Sequence, residues 1–317
     1  MKKISIITPC FNEELNVEAC ANTLREVMQG KLPNYSYEHI FSDNASTDST
    51  VEILRRLALN DSNIKVIVNS RNVGPFRNMW NAMKSASGDA VIPLLPADLQ
   101  DPPSVIPEFV ASWEKGNLIT YGERTNRQES IFMRGARSLY YRTISKFAST
   151  NIPLNSGEFL LADKRVIQSI LLLDDQYPYI RGLIAQTGVK SFSVPYTWAR
   201  RARGKSKNSF ISLIDQAING FVSTSRVPAR LALLGGFVMS GLGLAYGLFN
   251  FVMALFYDLG TPIGLTTVIV GIFLLGGIQL FFLGIIGEYV LSIHGQVRKS
   301  PAMFEVERIN FEESGMD

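Results

Sequence analysis

Two long stretches without a charged residue constrain this chain more than anything else in it. Leu231–Tyr257 and Leu259–Gly287 contain no Asp, Glu, Lys or Arg and are rich in Leu, Phe, Val and Gly. A helix needs about 20 apolar residues to cross the hydrocarbon core of a bilayer, and both stretches exceed that. The pattern predicts two membrane-spanning helices, 231–257 and 261–287, inside a segment 230–293. The joint Asp258–Pro262 holds one acid and no base, whereas Arg226 and Arg230 precede the pair and His294, Arg298 and Lys299 follow it. Lys and Arg mark the cytoplasmic side. A multi-pass protein of the inner (plasma) membrane is therefore expected, with both termini and the tail 294–317 cytoplasmic. Gly235, Gly236, Ser240, Gly241 and Gly243 would let helices approach closely, or are ordinary glycine use in a membrane helix. So small a hairpin reads as an anchor and as an element for homo-oligomerisation.

Ahead of it lie about 200 residues of ordinary composition, enough to bury a core. The net charge is only +3, and no nucleic-acid partner is expected. Cys10 and Cys20 lack metal-site spacing and are too few for a disulfide framework, so free thiols in a reducing compartment are expected. Met1–Lys3 is basic, but Ile4–Phe11 is short, contains Pro9 and is followed by Asn12-Glu13-Glu14. That is no secretory leader, and the N-terminal part is expected to stay on the side where it is made.

Residues 4–10 read as a buried strand, 13–29 as a helix, 37–41 as a strand, 50–59 as a helix, 64–68 as a strand, 75–87 as a helix and 90–95 as a strand. Ser46, Thr47 and Asp48 supply start signals for the second helix, and Asp48 reads as its N-terminal cap rather than a ligand contact. The alternation implies an α/β fold with a doubly wound, mostly parallel sheet. Ligands in such sheets sit beyond the carboxyl ends of the strands, which points to loops 8–14, 42–48, 69–76 and 96–103. These loops are crowded with acids and amides, and no G-x-G-x-x-G follows the first strand, so the dinucleotide fingerprint is absent. An acidic site holding a phosphorylated ligand needs a divalent cation between the two. Mg²⁺ favours one or two carboxylates plus substrate phosphate oxygens, and Asp98 with Gln100 offers such a site. Asp101 reads as the start of the turn before Pro102-Pro103.

Cations gather between the loops and the apolar end of the chain: Arg124, Arg127, Arg134, Arg137, Arg200, Arg201, Arg203, Lys205 and Lys207. Two amphipathic stretches flank them, an interfacial helix at 131–148 and a juxtamembrane helix at 209–229. Such helices lie in the headgroup layer. The expected order is a cytoplasmic domain 1–208, the juxtamembrane helix, the hairpin and the tail.

Six segments then occur in a telling order. They are Thr8-Pro9-Cys10-Phe11-Asn12-Glu13, Ser42–Thr50, Arg71-Asn72-Val73-Gly74, Asp98-Leu99-Gln100-Asp101-Pro102-Pro103, Asn155-Ser156-Gly157-Glu158-Phe159 and Arg201–Lys207. Together they resemble glycosyltransferase family 2, and within it the polyprenyl-phosphate branch that includes dolichol-phosphate mannose synthases and bacterial O-antigen glucosyl-carrier enzymes. The resemblance implies the type A nucleotide-sugar transferase fold. It implies that Pro9, Phe11, Glu13, Asp43, Arg71 and Gly74 bind the nucleotide. Asp98 and Gln100 would meet Mg²⁺ or Mn²⁺ and the diphosphate, Asp98 and Glu158 would be catalytic, and Arg124, Arg134, Arg201 and Lys207 would bind phosphate groups.

The activity implied is inverting transfer of a hexose, glucose favoured, from a nucleotide sugar, a UDP-sugar favoured, to a polyprenyl phosphate in the lipid bilayer. The lipid acceptor is already anionic, so it needs positioning and charge compensation more than deprotonation, and Glu158 either orients it or helps to hold metal. Three positions depart from the family pattern. Pro96 replaces the first Asp of Asp-x-Asp, Asn44 stands where a second Asp is common, and Glu158-Phe159-Leu160 lacks the usual Arg. A GDP-mannose-dependent synthase and a non-catalytic nucleotide-sugar-binding scaffold are the alternatives. A processive polysaccharide synthase would need more spans and a Gln-x-x-Arg-Trp motif.

Overall fold

The computed structural model describes residues 1–125, 156–176, 178–199, 234–239, 241–243, 245–246, 249, 264–298 and 303–311. The expected helices 131–148 and 209–229, and Arg134, Arg201 and Lys207, lie outside the described residues.

Strands and helices alternate through the first 114 residues. They are β1 (Lys3–Cys10), α1 (Val17–Lys31), β2 (Ser36–Asp43), α2 (Thr50–Asn60), β3 (Ile64–Asn69), α3 (Pro75–Lys84), β4 (Ala90–Ile92) and α4 (Ile106–Glu114). β5 (Ile119–Arg124), β6 (Ser156–Asp163), α5 (Lys164–Leu171), α6 (Ile180–Gln186) and β7 (Ser191–Tyr196) follow. The apolar end of the chain contains α7 (Leu234–Gly243) and α8 (Gly264–Arg298), and β8 (Glu305–Ile309) comes last. One sheet holds the strands of the described residues, in the order β7-β5-β6-β4-β1-β2-β3-β8. β1 pairs in parallel with β2 and β4, β2 with β3, and β5 with β7, while β6 and β8 run against their neighbours.

The central strands β1 to β4 are buried on both faces, which is why β1, β3 and β4 read as apolar runs. Because side chains alternate, Val66 and Val68 of β3 enter one core with α1, α2 and α4, and Ile67 enters the other with α3, α5 and α6. Helix α1 begins four residues later than the spacing predicts, at Val17. Asn12 takes a left-handed backbone (φ 55) and residues 13–16 form a turn closed by Asn16 N–H to Glu13 O, 2.9 Å.

The C-terminal expectations need correcting. Helix α8 runs past 287 to Arg298, because Glu288 is a lone charge followed by Tyr289–Ile293 and nothing there breaks a helix. At 1.5 Å per residue it is about 52 Å long, well beyond a hydrocarbon core of about 30 Å. Among the described residues its Leu275–Arg298 portion is the one helix long and apolar enough to cross a membrane. The tail is not a mere appendage. β8 pairs antiparallel with β3 (Val66↔Ile309, Val68↔Glu307), Arg55 forks onto Glu307, and Asn310 donates to the carbonyls of Ala58 and Ile64. Of the small residues in α7, Gly235 is in close contact, since a Cβ there would lie 2.9 Å from Cζ of Phe282. The two apolar helices therefore touch within one chain.

Candidate active site

The carboxyl ends of β1, β2, β3 and β4 bring the four polar loops together. Asn12 stitches the first to the second: its N–H donates to Ser46 Oγ (2.8 Å) and its Oδ1 accepts from Thr47 N–H (2.7 Å). Asn tolerates the left-handed region better than most residues, and Ala45 and Leu99 also adopt it in these loops (φ 61 and 58). Asn44 joins the second loop to the third, donating to Asn72 Oδ1 and accepting from Val73 N–H, both 2.9 Å. An Asp here would lose the donor, which gives one physical reason for this departure from the family pattern. Gly74 (φ 85, ψ 159) caps α3 just before Pro75, in a region essentially reserved for glycine.

Asp43 is fully buried, with one oxygen accepting from Ser46 N–H at 2.9 Å and the other from the Ser46 hydroxyl. Burial raises its pKa, against the hydrogen bonds from Ser46 that lower it. Asp48 is not the N-cap of α2, a position held by Ser49; it stands one residue ahead and accepts from Thr50 N–H (3.1 Å) and from the Thr50 hydroxyl. Glu13 is half-buried and accepts from Asn16 Nδ2; Pro9 and Phe11 are half-buried beside it, and Arg71 is exposed. Cys10 and Cys20 are buried free thiols.

Asp98 and Gln100 lie at the end of the β4 segment. Leu99 turns between them into the core, and Gln100 N–H donates to Asp98 Oδ1 (3.2 Å). Glu158 stands near the start of β6. β6 runs antiparallel to β4 (Val91↔Ala162), so its start, with Glu158, lies towards the carboxyl end of β4, from which the segment bearing Asp98 continues. Alternation sets Glu158 on the face of Leu160 and Tyr121. Phe159 points the other way, packed on Phe109 and Tyr196 with ring centroids 4.9 and 5.7 Å away.

Sequence reasoning missed a buried triad beneath the fourth loop. Asp101 is fully buried and receives Arg124 in a two-pronged ion pair, Nη2 at 2.8 Å and Nε at 3.1 Å, together with the Tyr196 hydroxyl. Burial works to lower the Arg124 pKa, but the adjacent Asp101 carboxylate overcomes this and holds it above its usual value. Asp101 thus does more than begin a turn. Arg124, expected among the phosphate-binding cations, has its charge balanced inside the protein. Its guanidinium also lies against Gly157, where a Cβ would stand 3.1 Å from Nη2, so the triad seats the residue next to Glu158. The only sequence signal was an acid directly before two prolines. The loop is held from one further side, by Ala199 N–H on Gln100 O (2.9 Å).

Among the described residues no three His, Cys, Asp or Glu side chains form a group able to hold a metal ion. Asp98 with Gln100 fits an Mg²⁺-type ion that keeps substrate phosphate oxygens among its ligands. It does not fit an ion caged by protein alone.

The strand ends present several carboxylates, Glu13, Asp43 and Asp98 among them, with amides and no glycine-rich phosphate loop, and this doubly wound sheet is of the type A nucleotide-sugar transferase fold. Residues 5–171 match the family model for glycosyl transferase family 2, and the chain belongs to that family and is a glycosyltransferase. It is 34% identical over 298 residues to an uncharacterized glycosyltransferase, YkcC, of Bacillus subtilis (strain 168), covering 94% of this chain and 91% of the relative. It is 31% identical over 301 residues to the SfII prophage-derived bactoprenol glucosyl transferase of Shigella flexneri, covering 94% and 96%. A mannosyltransferase from Pyrobaculum calidifontis, solved with GDP-Man and Mn²⁺, aligns with a TM-score of 0.49 and 16% identity over 94% of this chain and 88% of its own.

Proposed function

We propose that this chain is a membrane-anchored enzyme that transfers glucose from UDP-glucose, with inversion, to a polyprenyl phosphate at the cytoplasmic face. The observation that carries this reading is where α8 meets the domain. Gln296, two residues before the end of α8, bonds to Asp175 and to the N–H of Gln176. That segment follows α5, which leads back from the far end of β6 towards the loops. The strand ends bearing Asp98 and Glu158 therefore face the side from which α8 arrives, where a lipid phosphate would be met. The Shigella flexneri relative is called a bactoprenol glucosyl transferase, which supports glucose and a polyprenyl acceptor.

Topology supports a second span. β8 is hydrogen-bonded to β3, so residues 305–309 share the side of the domain. If α8 crosses the bilayer, the chain between Ala199 and Gly264 crosses once as well. Leu231–Tyr257, which includes α7, is the stretch apolar enough to do so. Gly236 and Gly243, seven residues apart and so on one face of α7, have open space where a Cβ would stand, and self-association through these helices would use that face.

In this reading the loops around Pro9, Phe11, Glu13, Asp43, Arg71 and Gly74 take the nucleoside. Asp98 and Gln100 would hold Mg²⁺ or Mn²⁺ against the donor diphosphate, where the ion would neutralise charge on the leaving group. Glu158 orients the acceptor phosphate. Arg134, Arg201 and Lys207 would supply its counter-charge; Ala199, two residues before Arg201 in the chain, is hydrogen-bonded to Gln100 O. A screen of UDP-glucose, other UDP-sugars and GDP-mannose with undecaprenyl phosphate, read by mass of the extracted lipid, tests the donor. UDP-glucose is expected to give the hexosyl lipid. A product from GDP-mannose alone would replace the donor, and donor binding without turnover would mark a scaffold.

A further inference from the structure

Helix α6 brings a cation to the face of the sheet that carries Glu158. Its direction follows from its neighbours. β7 begins at Ser191, opposite Ile119 at the start of β5, so the chain re-enters the sheet at its foot and α6 descends towards it from the end where the loops gather. The segment before α6 is held at that upper end. Gln176 O accepts from Arg77 Nε (2.5 Å), and Tyr179 meets Phe76 edge to face, with ring centroids 6.5 Å apart. Phe76 and Arg77 open α3, which starts straight after Gly74 at the carboxyl end of β3. Arg181, in the first turn of α6, therefore stands at the same end of the sheet as Asp98 and Glu158.

It also stands on the right face. Ile180, Leu183 and Ile184 pack into the core that Leu160 and Tyr121 share. Leu160 and Tyr121 are partners across β6 and β5, and Glu158 lies on their face, two residues nearer the loops. Position 160 supplies no cation there, being a fully buried leucine of the core that receives α6. The Tyr121 hydroxyl is buried and has no hydrogen-bond partner among the described residues. Burial pushes its pKa up, Arg181 draws it down, and Glu158 and Tyr179 push it up again, so these three groups stand near it. Arg181 is half-buried, and Tyr179 orients it: the phenol oxygen accepts from Nε (3.1 Å) and Nη2, and the ring centroid lies 5.4 Å from the guanidinium.

We propose that Arg181 binds the phosphate of the lipid acceptor beside Glu158. The assignment rests on the polyprenyl-phosphate reading and names a residue for its acceptor site. A phosphate monoester carries about −1.5 to −2 charges at neutral pH, and Glu158 by itself would repel it. A guanidinium held at the same end and on the same face offsets that charge and matches phosphate oxygens in geometry. The Tyr121 hydroxyl is a buried donor still to be used, and an oxyanion drawn in by Arg181 would use it. The donor diphosphate offers the same chemistry, and steady-state kinetics separate the two.

The test uses the full chain in lipid nanodiscs with Mg²⁺, varying undecaprenyl phosphate and UDP-glucose in turn. Arg181→Gln is expected to raise KM for undecaprenyl phosphate by about 10- to 150-fold, as loss of a charge-assisted hydrogen bond does. KM for UDP-glucose should stay within about 2-fold of the parent, because only acceptor binding is touched. Arg181→Lys keeps the charge and loses the planar fork. It should recover part of the loss, leaving KM for the lipid about 5-fold up, and it is the variant read if Arg181→Gln does not fold. A parent-like KM for the lipid in the folded variant would overturn the assignment. A rise confined to UDP-glucose would overturn it by placing Arg181 on the donor diphosphate, and equal rises for both substrates would overturn it by marking a structural role. No hexosyl lipid from the parent chain would instead overturn the polyprenyl-phosphate reading itself.

Discussion

Replacing Asp101 by Asn tests the buried triad that frames the site. The Asp101 side chain is 1% exposed and that of Arg124 17%, so neither is well screened by water. Asn keeps the shape but removes the negative charge and one of the two acceptors, leaving a guanidinium with little access to solvent. Breaking a buried pair from one side costs about 3–5 kcal/mol. The lower end, ~3 kcal/mol, applies here because Arg124 keeps some exposure and the Tyr196 hydroxyl 3.0 Å from its Nε. For a unit of this size that amounts to a Tm lower by about 6–12 °C. Thermal unfolding by intrinsic fluorescence, in one detergent throughout, reads it. The apolar pair Asp101→Leu with Arg124→Met should recover most of the loss, since replacing both partners removes the unpaired charge. Activity should fall in Asp101→Asn as well, because Arg124 also seats Gly157 beside Glu158. A single substitution that melts within about 1 °C of the parent would refute the reasoning.

Hydrogen bonds at the foot of the sheet and between the loops give two further outcomes. Glu38 is buried at the foot of the sheet. Burial would raise its pKa, but Lys3 and Lys65, both at 2.8 Å, with Ser5 and the Ser87 N–H, hold it down to about 2. A carboxylate depressed in the folded state stabilises above its unfolded pKa. Its contribution, about 3 kcal/mol, is complete above pH ~4.5 and is lost as the pH falls towards 2. The stability gap between the parent and Glu38→Gln, measured by denaturant titration, should therefore close across that window; a constant gap would contradict the ion-pair account. Asn44→Asp removes the donor to Asn72 and sets oxygen against oxygen, at a cost of about 1–3 kcal/mol. Calorimetry should find UDP binding weaker by about 5- to 150-fold, and unchanged affinity would mean that loops two and three are joined by something else.

Much of the frame was legible because periodicity is a local property. The alternation through β4 and the apolar stretch that holds α8 were readable from the sequence pattern alone, and the loops holding Asp43, Asp98 and Gln100 followed from the strand-end rule. What escaped depends on contacts distant in sequence. Asp101, Arg124 and Tyr196 come from three different elements, and nothing near any one of them announces the others. β8 is a five-residue run with two acids and an arginine, ordinary as a tail and a strand only because β3 offers an open edge. Asn12 read as one of several polar loop residues and Asn44 only as a departure from the family pattern, and their work is visible only once the partners Thr47 and Val73 are in place. The extension of α8 beyond Gly287 was hidden by giving one charge, Glu288, the weight of a helix end.

The most direct measurement is of product and residue together. The full-length chain in nanodiscs receives UDP-glucose bearing a labelled sugar, undecaprenyl phosphate and Mg²⁺, and the lipid extract is analysed by mass. The account predicts one hexose per undecaprenyl phosphate, formed by the parent chain and not by Asp98→Asn, which should still fold with the parent's Tm. A polymeric product, no labelled lipid with any nucleotide sugar, or full activity in Asp98→Asn would contradict it.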